Sequence, residues 1–121
     1  MNSFILKAVV MLAIPWYRTD LNLWSLPKSF EYVEFSQGKE MSRRPVSVGD
    51  VDYSTLKNFL LSEREGWRYD LSSYAPNRIF KSVDLSVNFL VNNWIVVNYK
   101  NAEGEWLQLS KVSENSFVFG K

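Results

Sequence analysis

The chain has 121 residues, a size typical of one domain and too small for two independent ones, so we expect a single domain over residues 1–121. Fourteen basic and thirteen acidic side chains leave a formal charge of +1, which gives no overall field for attracting nucleic acid or an anionic membrane. Histidine and cysteine are both absent, which excludes disulfides, thiol nucleophiles, the Ser-His-Asp triad and nearly all zinc and copper chemistry. We therefore expect a protein that binds rather than catalyses, without a metal or a cofactor.

An apolar run over residues 4–14 lies near the start of the chain and is followed by Pro15. It is too short to cross a bilayer as a helix, which takes about 20 residues. A buried strand and a buried helix fit the run equally well, and a processed leader over residues 1–16 is a further alternative. We expect a cytoplasmic protein, or a periplasmic one if residues 1–16 act as a leader.

The next segments alternate between irregular and extended patterns. Residues 17–29 mix polar residues with apolar anchors, which is typical of an irregular connection. Residues 30–35 interleave aromatic or branched side chains with two glutamates, which predicts a short strand. Residues 39–45 are polar and basic, and we expect a loop there.

The clearest helix signal lies between Gly49 and Gly66. Asp50 and Asp52 suit the start of a helix, where capping explains them better than a catalytic carboxylate pair, and Gly66 suits a C-terminal cap. Apolar side chains recur there at steps of three and four residues, which predicts an amphipathic helix with one buried stripe. The stripe consists of Tyr53, Leu56, Phe59 and Leu60.

After the helix the apolar pattern changes to a period of two, which predicts strands. Asn92 and Asn93 suit a two-residue hairpin turn, because asparagine tolerates the positive φ that such turns need. Short turns join the last four of these segments, so we expect them to form an antiparallel meander. In chain order the predicted extended segments are 67–71, 79–80, 82–91, 94–100, 106–112 and 117–119.

These elements predict an α+β fold, in which the helix covers one face of an antiparallel meander sheet of about four to six strands. The alternation assigns one set of side chains to the core, namely Val83, Leu85, Val87, Ile95, Val97, Leu107 and Leu109. It assigns Ser86, Asn88, Trp94, Asn98, Trp106 and Gln108 to the other face.

Two groups of residues have the composition of a protein-binding surface. The first follows the helix and mixes aromatic rings with an arginine and an aspartate, as binding hot spots do. The second is the polar side of the meander, which carries two tryptophans; packing of alternate members into the core is the alternative for both groups. The candidate partner-binding residues are Trp67, Arg68, Tyr69, Asp70, Tyr74, Trp94, Asn98 and Trp106.

In size and aromatic richness, and in residues 66–70, 82–91 and 96–99, the chain resembles the small bacterial immunity proteins that neutralise toxins of contact-dependent or type VI systems. The resemblance implies one tight protein partner, a co-encoded toxin. Inhibitors of nuclease toxins usually present an acidic face, and the near-zero net charge departs from that pattern. Either the toxin is not a nuclease, or inhibition uses a local patch.

We therefore expect a non-catalytic immunity protein that inhibits a cognate toxin by direct binding. One alternative is a carrier of a small apolar ligand, with a barrel-like sheet around an enclosed cavity. Another is a structural or phage-type assembly subunit that self-associates through strand edges. We expect neither nucleic acid nor a membrane as a partner.

Overall fold

The computed structural model describes residues 18–23 and 25–119, which form eight strands and one α-helix. The apolar run over residues 4–14 and the possible leader over residues 1–16 lie outside this described part. The strands are β1 (Arg18–Thr19), β2 (Ser29–Ser36), β3 (Lys39–Ser47), β4 (Trp67–Tyr69), β5 (Arg78–Lys81), β6 (Leu85–Phe89), β7 (Trp94–Lys100) and β8 (Trp106–Val112), and the helix α1 (Val51–Ser62) lies between β3 and β4.

The strands form a single sheet in the order β1-β4-β8-β7-β6-β5-β2-β3, and every neighbouring pair is antiparallel. The predicted α+β class is confirmed. The sheet is larger than the four to six strands expected, because β1 and β3 extend its two edges.

Helix α1 buries the predicted stripe, Tyr53, Leu56, Phe59 and Leu60, against the sheet. We call the side of the sheet that α1 covers the core face, and the opposite side the outer face. The helix ends at Ser62, and the backbone N–H of Glu63 donates to the Phe59 carbonyl. The prediction that Gly66 caps the helix was wrong. Gly66 has a φ of +80° and instead belongs to the turn that leads into β4.

The expected polar loop at residues 39–45 is strand β3, which pairs with β2 around the two-residue turn Gln37 and Gly38. Both turn residues have positive φ, 51° and 78°, as tight hairpins require. A proline and many charges argue against a strand inside a sheet. They are tolerated here because β3 is an edge strand whose one neighbour among the described strands is β2, and at an edge such residues also discourage pairing with another chain.

The meander of β6, β7 and β8 follows the prediction closely. Asn92 and Asn93, both with a φ of 60°, make the turn between β6 and β7. The core positions predicted from alternation are buried or half-buried, except Val83, which is 89% exposed. Val83 precedes the first residue of β6, so the alternation of the strand does not extend to it.

The last predicted strand, residues 117–119, is not a strand. The observed meander consists of β5, β6, β7 and β8, so it starts one strand earlier than predicted and ends at β8. Phe117 and Phe119 instead insert their rings into the core. The ring of Phe117 lies 4.8 Å from that of Phe59, and the ring of Phe119 lies 4.8 Å from that of Phe80. Burial of large aromatic surface outweighs the backbone pairing that a strand would add.

Leu56 and Leu61 provide a matched test of this packing. Leu56 has no exposed surface and Leu61 is 61% exposed on the same helix. We expect Leu56→Ala to lower the free energy of unfolding by about 2–5 kcal/mol, through lost burial and a cavity. Leu61→Ala should change it by about 0.5 kcal/mol or less. Urea denaturation measures both, and equal losses would contradict the burial of Leu56 between α1 and the sheet.

Candidate functional site

The outer face of β4, β7 and β8 carries most of the residues predicted to bind a partner. In the strand register Arg68 lies opposite Ser110, which lies opposite Val96. One step along, Asn98 faces Gln108, and beyond it Lys100 faces Trp106. Cross-strand partners share a sheet face, so these side chains form one continuous surface on the side away from α1.

Residues 70–77, which we call the strap, cross this face. They connect β4 to β5, two strands that are separated by β8, β7 and β6 and are therefore roughly 19 Å apart at about 4.8 Å per strand. Eight residues reach about 26 Å when fully extended, at about 3.3 Å per residue, so a partly extended strap spans this distance.

Side chains of β8 hold the first half of the strap in place. The Gln108 amide donates to the carbonyl oxygens of Asp70 and Ser72, at 2.8 and 2.9 Å. At the far end, the Asn77 N–H donates to the Phe89 carbonyl at 2.9 Å. A segment that crosses a sheet cannot use the backbone pairing of a strand, and these bonds satisfy its polar groups instead.

Asp70 is the centre of a polar network beneath the strap. Its carboxylate accepts hydrogen bonds from the Ser110 hydroxyl and from the Ser72 N–H, each at 2.8 Å. Burial alone would raise the pKa of Asp70, but these bonds, together with the nearby Tyr74 hydroxyl, stabilise the charge and lower the pKa below its ordinary value of 3.8. Asp70 thus fastens the strap to β8.

Tyr74 packs the second half of the strap onto the sheet. Its ring meets Trp94 edge to face, with 5.0 Å between ring centroids and an interplanar angle of 89°. The Tyr74 hydroxyl is buried close to Asp70 but makes no hydrogen bond of good geometry. Burial, and then the Asp70 charge, raise the pKa of Tyr74 above its usual value, so the phenol stays neutral at physiological pH.

The outer face is open on both sides of the strap, towards Trp106 at one end of β8 and towards Val112 at the other end. Trp106 is 55% exposed, and Val112, which pairs with Trp94, is also more than half exposed. Arg68 is exposed and Asn98 is half-buried. The exposed Leu71 of the strap adds further apolar surface.

Six of the eight candidate residues therefore lie on the outer face or its strap, and two do not. Trp67 has no exposed surface, and its indole N–H donates to the Glu63 carbonyl at 2.7 Å. Tyr69 is half-buried against the core. Because side chains alternate along β4, Arg68 points outward while Trp67 and Tyr69 point inward. Trp67 and Tyr69 are therefore not part of the outer face.

Sequence reasoning missed Ser110 and Arg18 as members of this surface. Ser110 was assigned only to a strand, and nothing local indicates that it receives Asp70, forty residues away. Arg18 belongs to the two-residue strand β1, which is too short to give a periodic signal. It lies directly opposite Arg68 on the outer face.

A second polar group lies on the core face of β2, β3 and β5. Burial, with a smaller contribution from Glu34, raises the pKa of Tyr32 to about 12, so this phenol is not a base at neutral pH. The guanidinium of Arg44 lies 4.9 Å from the Tyr32 ring centroid and forms an ion pair with the buried Asp52. Arg78 lies 5.3 Å from each of two phenylalanine rings and donates to the Phe117 carbonyl. These contacts attach the β2–β3 hairpin to α1 and the C-terminal segment to β5, so their role is structural.

A cleft of about 330 Å³ lies where the chain before β2 meets the ends of β6 and β7. Its lining combines apolar and polar side chains, including Leu23, Leu85, Lys28, Asp84 and Lys100, and it is partly open to solvent. An apolar-ligand carrier encloses its ligand in mostly apolar surroundings, so this cleft does not support that alternative.

Within the described residues, no three Asp or Glu side chains come together as a metal-binding group. No helix in the same part of the chain is long and apolar enough to cross a membrane. Neither a protein-family model nor a curated protein nor a solved structure matches the chain. The surface described above is therefore interpreted from its own chemistry.

Substitution of Trp67 and of Trp106 tests that the first ring lies in the core and the second on the outer face. We expect Trp67→Ala to lower the free energy of unfolding by about 3–5 kcal/mol, because it empties a fully buried site. Trp106→Ala removes a ring that is more than half exposed and should cost about 0.5 kcal/mol or less. Thermal and urea unfolding give both values, and similar losses would refute the assignment of the two rings to different environments.

The lowered pKa of Asp70 predicts a specific dependence of stability on pH. Because the pKa in the folded chain lies below the unfolded value, the stabilisation is complete above about pH 4 and is lost as the pH falls through the folded pKa. Asp70→Asn should be less stable than the wild type at pH 7, and the difference should shrink towards pH 2–3. Unfolding of both proteins across this range is the measurement. A difference that stays constant with pH would show that the charge of Asp70 does not fasten the strap.

Proposed function

We propose that the chain is a non-catalytic protein-binding domain of the immunity type, which inhibits a cognate bacterial toxin by direct contact through the outer face. The observation that carries this proposal is the half-exposed Trp106 on a surface that also presents Val112, Leu71 and Arg68. Tryptophan and arginine are enriched among the residues that dominate binding energy.

The strap supports the same proposal, because it limits how much the outer face can move. Hydrogen bonds from Gln108 and Ser110 and the ring contact between Tyr74 and Trp94 fix the strap to two adjacent strands. A surface that is already ordered loses less conformational entropy when a partner binds. An ordered outer face therefore favours tight binding.

The alternatives receive less support from the same residues. A barrel-like carrier needs a closed sheet, and among the described residues the sheet ends at β1 on one side and β3 on the other. An assembly subunit that adds strands edge to edge needs an open edge, whereas β3 carries Pro45 and the charged residues Lys39, Glu40, Arg43 and Arg44.

Affinity capture from a lysate of the source organism, with the purified full chain as bait and mass spectrometry as readout, tests the proposal. We expect a stoichiometric protein partner on the wild-type bait and at least about tenfold less on a Trp106→Ala bait, as for loss of a hot spot. Leu61→Ala is the matched control, because it removes a similarly exposed apolar side chain from the opposite side of the molecule.

The identity of the captured partner separates the immunity role from protein binding in general. If the partner is toxic when expressed alone, co-expression of the wild-type chain should restore growth and co-expression of Trp106→Ala should not. Capture of a non-toxic partner would support a protein-binding role and contradict the immunity role. Recovery of the bait alone would count against both.

A further inference from the structure

The outer face contains a like-charged pair at its edge. Arg18 of β1 lies directly opposite Arg68 of β4, and both side chains are exposed. Directly opposed charges of the same sign destabilise an antiparallel pair of strands. β1 is only two residues long, so this repulsion affects one of its two cross-strand pairs.

No acidic residue of the described chain relieves this repulsion by an ion pair. Asp70 is two residues from Arg68 on the same face, but its carboxylate accepts hydrogen bonds from the Ser110 hydroxyl and the Ser72 N–H. Lys111 also approaches the Arg18 side chain beside Gly66, and its charge is balanced by Glu63 at 3.5 Å. Two guanidinium groups therefore face solvent without a carboxylate partner among residues 18–23 and 25–119.

Two other arginines of the sheet, Arg43 and Arg44, form ion pairs. Arg43, near the opposite edge of the same face, contacts both Glu31 and Glu40. The chain thus has a near-zero net charge while one end of its outer face remains positive. The imbalance is local, and it lies on the surface that carries the exposed apolar side chains.

We propose that the partner presents carboxylate groups to Arg18 and Arg68, so that its contact surface is acidic. This inference rests on the proposed function and specifies the chemistry of the partner. Guanidinium groups bind carboxylates through paired hydrogen bonds, and a carboxylate between the two arginines would also remove their repulsion. A positive surface does not complement the basic cleft of a nuclease, so the partner is bound at a surface other than a phosphate-binding cleft.

A nucleic acid would also be attracted by arginines on the same face as an exposed tryptophan, but the outer face suits a protein better. Proteins that bind single strands stack successive bases on several exposed rings along a basic groove. Among the described residues of this face, Trp106 is the one ring more than half exposed, because Tyr74 packs against Trp94. Val112 and Leu71 offer apolar contacts that a protein surface can use.

Charge-reversed baits test this inference. The Arg18→Glu/Arg68→Glu bait keeps a like-charged pair in place, so it retains the same strand repulsion with the opposite sign. The control, Lys39→Glu/Lys57→Glu, reverses two exposed lysines away from the outer face. Each double variant changes the charge by −4, from +1 to −3, so the two baits have the same net charge.

We expect the wild-type and lysine-reversed baits to capture the partner, and the arginine-reversed bait to bind it at least about tenfold more weakly. Substitution of the contacting carboxylates of the partner by lysine should restore binding to the arginine-reversed bait. That rescue, and persistence of the complex after nuclease treatment, support an acidic protein surface. Equal capture on both double variants, or loss of the complex with nuclease, would overturn the inference while the wild-type capture still reports on the proposed function. The absence of a partner on every bait would overturn both.

The strand repulsion itself has a separate readout. The single variant Arg68→Glu replaces a like-charged pair with an oppositely charged one, and its melting temperature should rise above that of the wild type. The arginine-reversed double variant should melt near the wild-type temperature. An unchanged or lower melting temperature for the single variant would show that the two arginines do not repel each other, which removes the structural basis of the inference.

Discussion

The order of the strands requires the chain to cross the sheet repeatedly, and the rest of the structure depends on how each crossing is accommodated. Strands β1 and β4 pair at one edge, while β2 and β3 pair at the other. The connection from β1 to β2 crosses on the core face, where Leu21 is buried and Leu23 and Leu26 pack against the core. Helix α1 returns the chain from β3 to β4 across the same face. Only the strap crosses the outer face among the described segments, so it decides which part of that face is accessible.

Each crossing segment lacks the backbone pairing of a strand, and its polar groups are satisfied in a different way. Before β2, the Leu21 N–H donates to the Arg64 carbonyl, and the Tyr53 hydroxyl donates to the Pro27 carbonyl. On the outer face, the Gln108 amide donates hydrogen bonds to two carbonyl groups of the strap. A buried polar group without a partner costs more than a hydrogen bond gains, so these few side chains fix the paths of long segments. The strap and the outer face are consequently a single ordered surface.

The elements with strong local patterns could be predicted from the sequence, whereas those that depend on remote neighbours could not. Helix α1 and the strands β6, β7 and β8 have the expected positions, because a repeated apolar spacing was enough to identify them. The sequence did not predict strand β3, because its proline and charged residues are typical of a loop. They are compatible with a strand at the edge of a sheet, and the sequence does not show which strand lies at the edge. The alternation in β4 separated Arg68 from Trp67 and Tyr69, but the sequence did not show which set faces α1. No local signal predicts that Arg18 pairs opposite Arg68, or that Ser110 donates to Asp70, forty residues away.

The local character of the positive patch also constrains how a complex would form. With a net charge of +1, the molecule has little long-range field, so association at an ordinary rate, about 10⁵–10⁷ M⁻¹ s⁻¹, is expected. High affinity would then have to come from slow dissociation, which depends on contacts that exclude water around Trp106 and its neighbours. Arg18 and Arg68 are exposed at the edge of this surface, and charges in that position mainly affect encounter and orientation. The apolar and charged parts of the outer face would therefore have separable roles, the first in the lifetime of the complex and the second in the choice and alignment of the partner.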